Sequence, residues 1–299
     1  MGNSSKMVLE GIRSEILAIR QEITLHEEIS FDARADAVDF LDFHVIDRIN
    51  SLPQTVESDE LKLHAEKIKH ELERIDITLF KKLRENIRAG LYKGPAFKPM
   101  AGEYVRFDGS DRIGYDNLDI FINGLLFDEP LPDAAAARQP EMVFYQQTPA
   151  RIIFELAEMA KLNIGDVFFD IGSGLGHVPI LINLVSGAKS IGIEYEAPYC
   201  SYAKNVVANL QLSNVQFINA DAREGDYSAG TVFFLYTPFQ VCMLQEFLDI
   251  LKKISLIRTI RVFTYGSCSA ETARQTWLSC LDGNGEDLYK LYEFKSLSN

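Results

Sequence analysis

Cysteine is scarce: Cys200, Cys242, Cys268 and Cys280 are the only four among 299 residues, and no two form a Cys-x-x-Cys pair. That spacing suggests neither a disulfide framework nor a zinc site, and the thiols read as buried and reduced. No apolar run is long enough to cross a bilayer, and Met1 to Lys6 lacks the apolar core of a signal peptide. Lys6 stands where myristoylation of Gly2 needs Ser or Thr. A cytoplasmic protein without membrane partners is expected. Positive charge is short as well, with 30 Lys and Arg against 43 Asp and Glu and a net charge of −13. Sequence-independent nucleic-acid affinity comes from Lys and Arg neutralising phosphates, so this balance counts against a nucleic-acid partner. The mildly basic Arg84 to Lys98 stretch reads as a solvated helix end. His26, His44, His64 and His70 show no ligand spacing beside carboxylates, and no metal is expected.

The chain is long enough for one large domain or two ordinary ones. Ile12, Ile16, Ile19 and Ile23 make one apolar helical stripe, and Val38, Leu41, Val45, Ile49 and Leu52 make a second, stopped by Pro53. Ser58 is a candidate cap for a third, longer helix whose stripe runs from Leu61 to Ile87, with Gly90 as its stop. These predict a helical bundle over 1–92. Residues 93–140 mix glycine, proline and aromatics, too aromatic for a free linker; they read as interdomain packing or a lid, with Asp128 to Pro140 as an exposed connection.

Over 141–299 the pattern changes to alternating strands and helices, which argues for a mostly parallel sheet covered on both faces. Val167-Phe168-Phe169-Asp170 runs as a strand into Gly172, Gly174 and Gly176 before an apolar helix. Glycines at alternate positions let the backbone turn sharply and lie against a ligand. The spacing is not the Gly-x-Gly-x-x-Gly of dinucleotide sites, and Asp170 before it would repel a pyrophosphate and accept an amine. A second acid, Glu194, closes Ile191-Gly192-Ile193 about twenty residues on, where a carboxylate takes ribose hydroxyls. Asp221 follows a third strand, Val215 to Asn219. Strand carboxyl ends in an open parallel sheet line one crevice, so the three acids should meet one ligand bearing an amine-rich end, a ribose and a base with an exocyclic amine.

Asp-Ile-Gly-Ser-Gly-Leu-Gly, Gly-Ile-Glu and Ala-Asp-Ala resemble the first three cofactor motifs of class I S-adenosylmethionine-dependent methyltransferases, over about half the chain. The resemblance implies a Rossmann-like α/β domain with a seven-stranded sheet behind the helical N-terminus, and S-adenosylmethionine as cofactor. It places the methionine part over Gly172, Gly174 and Gly176, the ribose at Glu194 and the adenine amine at Asp221, and it implies that Asp170, Ser173, Tyr195, Ala222 and Tyr236 also belong to the cofactor site. Tyr145-Gln146-Gln147-Thr148-Pro149 opens a helix just upstream, with Thr148 as its expected N-cap and Pro149 as its first residue. That opening is similar to little-characterised bacterial methyltransferases, to the lysine methyltransferases of the ATP synthase c subunit and to histone lysine methyltransferases of the telomeric-silencing type. The similarity implies that Tyr145 and Thr148 touch the cofactor.

The fourth strand ends in Tyr236-Thr237-Pro238-Phe239, where class I enzymes place acceptor-facing residues. It departs from the Asn/Asp-Pro-Pro-aromatic pattern of many amine methyltransferases, and Tyr236 is the candidate catalytic residue. His177 is a possible base but reads as a helix-start residue. Methyl transfer needs alignment and an uncharged nucleophile more than a strong base. The expected activity is N-methylation of a protein amine, lysine, with a small-molecule acceptor as the alternative and a non-catalytic cofactor-binding scaffold as the third reading. Trp277 to Leu281 and Leu288 to Phe294 are expected to close the sheet as an antiparallel pair.

Overall fold

The isoleucine stripe builds α1 (Asn3–Gln21), in which Ile12 and Ile16 are fully buried. The computed structural model describes residues 3–107, 114–135 and 141–297. Ile23 leaves its assigned stripe: α1 stops at Gln21, and the Glu22 carboxylate accepts the Thr24 N–H to start a 3₁₀ turn that leaves Ile23 exposed. The second stripe forms α2 (Phe31–Asp39), which continues through a π-helical turn (Phe40–Ile46) into α3 (Asp47–Asn50). Leu41, Val45 and Ile49 face the same core as Ile12, Ile16 and Leu72. The third stripe forms α4 (Val56–Arg88), whose cap is Thr55 and not Ser58. Thr55 Oγ1 accepts the Ser58 N–H at 3.1 Å while Ser58 Oγ accepts the Thr55 N–H at 2.8 Å, a reciprocal pair that satisfies two helix-end donors.

The described residues divide into two compact units. The first takes those within Met1–Glu85, Met100–Gly109 and Asp116–Leu125; the second takes those within Asn86–Pro99, Ser110–Tyr115 and Leu126–Asn299. Residues 93–140 are thus shared, contributing α5 (Phe97–Tyr104) and α6 (Asn117–Leu126). In the first unit Phe121 sits at ring distances of 5.2 Å from Phe31, 5.6 Å from Phe80 and 5.7 Å from Tyr104. Arg84 is buried and donates to the carbonyls of Gly124 and Leu125, so the basic stretch begins as a cap on α6 and not as a solvated end. Arg34 is fully buried, paired with Asp76 at 2.7 Å and donating to the carbonyls of Leu25, Glu27 and Glu28.

The second unit continues with α7 (Ala150–Ala160), β1 (Val167–Ile171), α8 (His177–Ser186), β2 (Lys189–Glu194), α9 (Ala197–Leu210), β3 (Val215–Asn219), β4 (Val232–Tyr236), α10 (Val241–Ser255), β5 (Arg261–Tyr265), α11 (Cys268–Ala273), β6 (Leu278–Cys280) and β7 (Tyr292–Ser296). The seven strands lie in the order β3-β2-β1-β4-β5-β7-β6. β1 to β5 are parallel, and β7 runs antiparallel to both β5 and β6. Near-continuous apolar runs such as Phe233-Phe234-Leu235 are buried on both faces, which is why these strands do not alternate. The order reverses between β1 and β4, and a crevice opens at that switch point beyond the strand carboxyl ends.

Helix α7 begins one residue later than expected. Pro149 occupies the cap position, its carbonyl accepting the Ile152 N–H at 2.9 Å, and no side chain caps the helix. Thr148 stands one place further back, outside the cap position, and is buried. Side chains of 128–131 and 133–135 are exposed, yet the backbone there is pinned, since Tyr202 donates to the Glu129 carbonyl and Ala135 N–H to Glu196. Residues 136–140 of the Asp128 to Pro140 connection lie outside the described residues.

Candidate active site

A cavity of about 540 Å³ lies over the carboxyl ends of β1 to β5 in the second unit. Tyr145, Gly172, Glu194, Tyr195, Asp221, Ala222 and Tyr236, named from the sequence, all line it. Thr148, Asp170 and Ser173 are buried behind the wall, and Gly174 is roofed by the Tyr145 ring.

The glycine loop takes its shape from three left-handed residues, Gly172 at φ 77°, Gly174 at 52° and Gly176 at 93°. A Cβ on Gly172 would lie 2.8 Å from Pro238, and one on Gly174 would enter the Tyr145 ring. Glu194 reaches back to this loop, accepting the Gly174 N–H at 2.6 Å and the Glu196 N–H at 2.7 Å. Burial raises the Glu194 pKa, against the pull of those backbone donors. Asp170, fully buried, is raised well above the usual carboxylate range by burial first and by the Glu194 charge second. Asp221 is held by Arg223, whose Nε and Nη2 reach its two oxygens at 3.0 and 2.7 Å, and Arg223 also bonds Glu246 at 3.0 Å. Ser173 Oγ is buried without a hydrogen-bond partner.

The desolvation of Asp170 has a testable cost. The folded chain holds its proton above the ordinary 3.8, so wild type loses stability as pH rises through that value, whereas Asn at this position does not titrate. Asp170→Asn is therefore expected to melt with wild type near pH 3 and above it at pH 7, each 1 kcal/mol appearing as about 2–4 °C. Equal melting temperatures at both pH values would show that the carboxylate is compensated inside the fold.

The opposite end of the cavity is aromatic. Tyr236 closes β4 in register with Tyr265 of β5, their rings 5.0 Å apart, and Leu288 and Tyr289 complete that wall. Burial pushes the Tyr236 phenol up to about 12. The following loop is strained: Thr237 and Val241, both β-branched, take φ of 40° and 44°. It is held by an antiparallel bridge between Met142 and Phe239 and by the Gln240 N–H on the Glu141 carbonyl at 3.0 Å. Tyr265 was legible by the strand-end logic that found the acids, whereas Tyr289, Tyr199 and Phe144 reach the cavity from loops and a helix and left no such signal. His177 is the first residue of α8, buried and lowered to about 3 by that burial. Among the described residues no group of His, Cys, Asp and Glu could hold a metal ion, and no helix is long and apolar enough to cross a membrane.

Residues 139–229 match the family model of the histone methylation protein DOT1. Similar solved structures include an RNA methyltransferase from Salinibacter ruber, in complex with S-adenosyl-L-homocysteine, at 25% identity over 50% of this chain and 92% of that one, with a TM-score of 0.41. A putative methyltransferase from Escherichia coli aligns at 14% identity over 52% and 90% of the two chains, TM-score 0.42. A precorrin-6y C5,15-methyltransferase from Geobacter metallireducens aligns at 15% over 55% and 94%, TM-score 0.39. No curated protein matches the sequence. The sheet order, the glycine loop and the family match define the second unit as a class I S-adenosylmethionine-dependent methyltransferase domain.

Proposed function

We propose that the protein transfers a methyl group from S-adenosylmethionine to a protein amine, a lysine side chain, in the cytoplasm. The cofactor supplies a methyl group already activated on a sulfonium. Gly172 on the cavity wall, left-handed and without a Cβ, and the buried Asp170 carboxylate behind that wall fit such an amine-bearing ligand. In this reading Gly172, Ser173 and Gly174 carry the methionine end with Asp170 behind them and Gly176 starting α8. Tyr145 lies over that end, with Thr148 supporting its segment. Glu194 and Tyr195 take the ribose, and Asp221 and Ala222 the adenine.

The observation that carries the acceptor is the tyrosine wall. Among the described residues the carboxylates lining the cavity are Glu194, Glu196 and Asp221, all on the β2–β3 side, while Tyr236, Tyr265 and Tyr289 wall the other end. An amine entering there is desolvated among aromatic rings, with the Arg151 cation close to Tyr236 and Tyr265, which disfavours the ammonium and leaves a nucleophilic lone pair. Phe144 and Tyr289 at the rim are 72% and 55% exposed, apolar surface that suits a polypeptide around the target side chain. A metabolite is the second reading, since about 540 Å³ falls in the range of small-ligand sites.

Burial pushes the Tyr236 phenol up to about 12, so in this reading it serves as a wall against the acceptor and not as a base. Tyr236→Phe should then lower kcat far less than the roughly 10²-fold that losing a general base costs. The direct test is methyl transfer from radiolabelled S-adenosylmethionine to a fractionated lysate, with protein, nucleic-acid and metabolite pools counted separately. Label in acid-stable methyl-lysine supports the proposal, and label confined to the metabolite or nucleic-acid pool overturns it.

A further inference from the structure

The buried His177 is not explained by starting a helix, since its ring faces two aromatic neighbours inside the fold. Its Nδ1 lies 3.3 Å from the Tyr145 hydroxyl, and the Phe127 ring meets it edge-on with centroids 4.6 Å apart. The Tyr145 ring lies over Gly174 so closely that a Cβ there would enter it, and Tyr199 flanks it at 5.4 Å. Tyr145 and Tyr199 also line the cavity, next to Gly172 and Glu194. An aromatic ring, its Cδ2–Cε2 edge on Gly174, is thus fixed where, on the methyltransferase reading that this inference rests on, the methionine end and its sulfonium are carried.

We propose that His177 is a positioning residue that holds Tyr145 over the glycine loop, and that this aromatic roof makes the site prefer the sulfonium of S-adenosylmethionine over the neutral thioether of S-adenosylhomocysteine. A cation over the face of a tyrosine is attracted by the ring quadrupole, and a thioether is not. The ring must be kept at one tilt for that preference to last, and the hydroxyl bond to His177 fixes the end furthest from the backbone. An uncharged imidazole suits the place, because an imidazolium there would repel the sulfonium; burial keeps His177 neutral. Chemically, such a preference would speed release of the demethylated product after each turnover.

Calorimetric titration with both ligands tests this on the full chain. Wild type should bind S-adenosylmethionine more tightly than S-adenosylhomocysteine. His177→Leu and Tyr145→Phe should each weaken S-adenosylmethionine by about three- to tenfold and S-adenosylhomocysteine by less than about twofold. Because both remove the same bond, the double variant should be no weaker than the worse single one. Equal losses for the two ligands, or additive losses in the double variant, overturn the proposal. If His177→Leu does not fold, Tyr145→Phe decides alone: an unchanged ratio of the two affinities overturns it. Wild type binding neither ligand would instead overturn the methyltransferase reading, and this inference with it.

Discussion

Glu194→Ala is expected to weaken S-adenosylmethionine binding by about ten- to a hundredfold, because a hydrogen bond to a charged group contributes about 1.5–3 kcal/mol and each 1.4 kcal/mol is tenfold. Glu194 closes β2 beside the switch point and lines the cavity. Its oxygens also tie the loop to the strand end through the N–H groups of Gly174 and Glu196. Affinity and stability respond differently to its loss. Removing the carboxylate strands two backbone donors, yet it also removes a charge that burial disfavours and that raises Asp170. These effects oppose one another in the folded chain, whereas nothing offsets the lost ligand contact. The expected result in paired calorimetry and thermal melts is a large rise in Kd with a melting temperature within a few degrees of wild type. A variant that melts much lower while binding normally would make Glu194 a tether of the loop and not a ligand group.

The sequence carried the second unit further than the first, for a physical reason. In an α/β sheet the ligand groups sit at strand ends, so a short apolar run followed by an acid or a glycine announces both the element and the site; β3 matches its expected span residue for residue. The closing pair was legible for the same reason, as Leu278 opposite Ser296 and Cys280 opposite Phe294. Helix starts were harder. Thr148 and Ser58 both have the right chemistry for a cap, and each lost the position to a neighbour, Pro149 through its carbonyl and Thr55 through the reciprocal pair. Local propensity does not choose between two adequate caps. Charge partners were not legible at all: Arg223 engages Asp221 two residues away, but its link to Glu246 on α10 depends on how that helix packs. Tyr289 enters the cavity wall from the loop between β6 and β7, and no periodicity marks it.

The helical unit buries a charge in Arg34, and Asp76→Ala is expected to cost about 3–5 kcal/mol, the range found when one partner of a buried pair is deleted. The guanidinium is fully buried, with Nε on Asp76 and the remaining donors on the carbonyls of Leu25, Glu27 and Glu28, so one side chain ties the 3₁₀ turn after α1 to α2 and α4. The pair is not itself a net source of stability. Burial raises the Asp76 pKa despite Arg34, so the folded chain holds that proton more tightly than the unfolded one, and ionising Asp76 costs stability as pH rises above 3.8. What the fold requires is therefore an acceptor oxygen for Arg34 Nε more than a negative charge. Asp76→Asn keeps an oxygen in reach and should lose about 1 kcal/mol, the worth of an ordinary hydrogen bond, while Asp76→Ala leaves a buried N–H of a charged group with nothing to bond. Urea unfolding of the full chain, followed by far-ultraviolet circular dichroism, separates the two. Variants that destabilise equally would assign the role to the charge, and an alanine variant within about 1 kcal/mol of wild type would mean that water reaches Arg34.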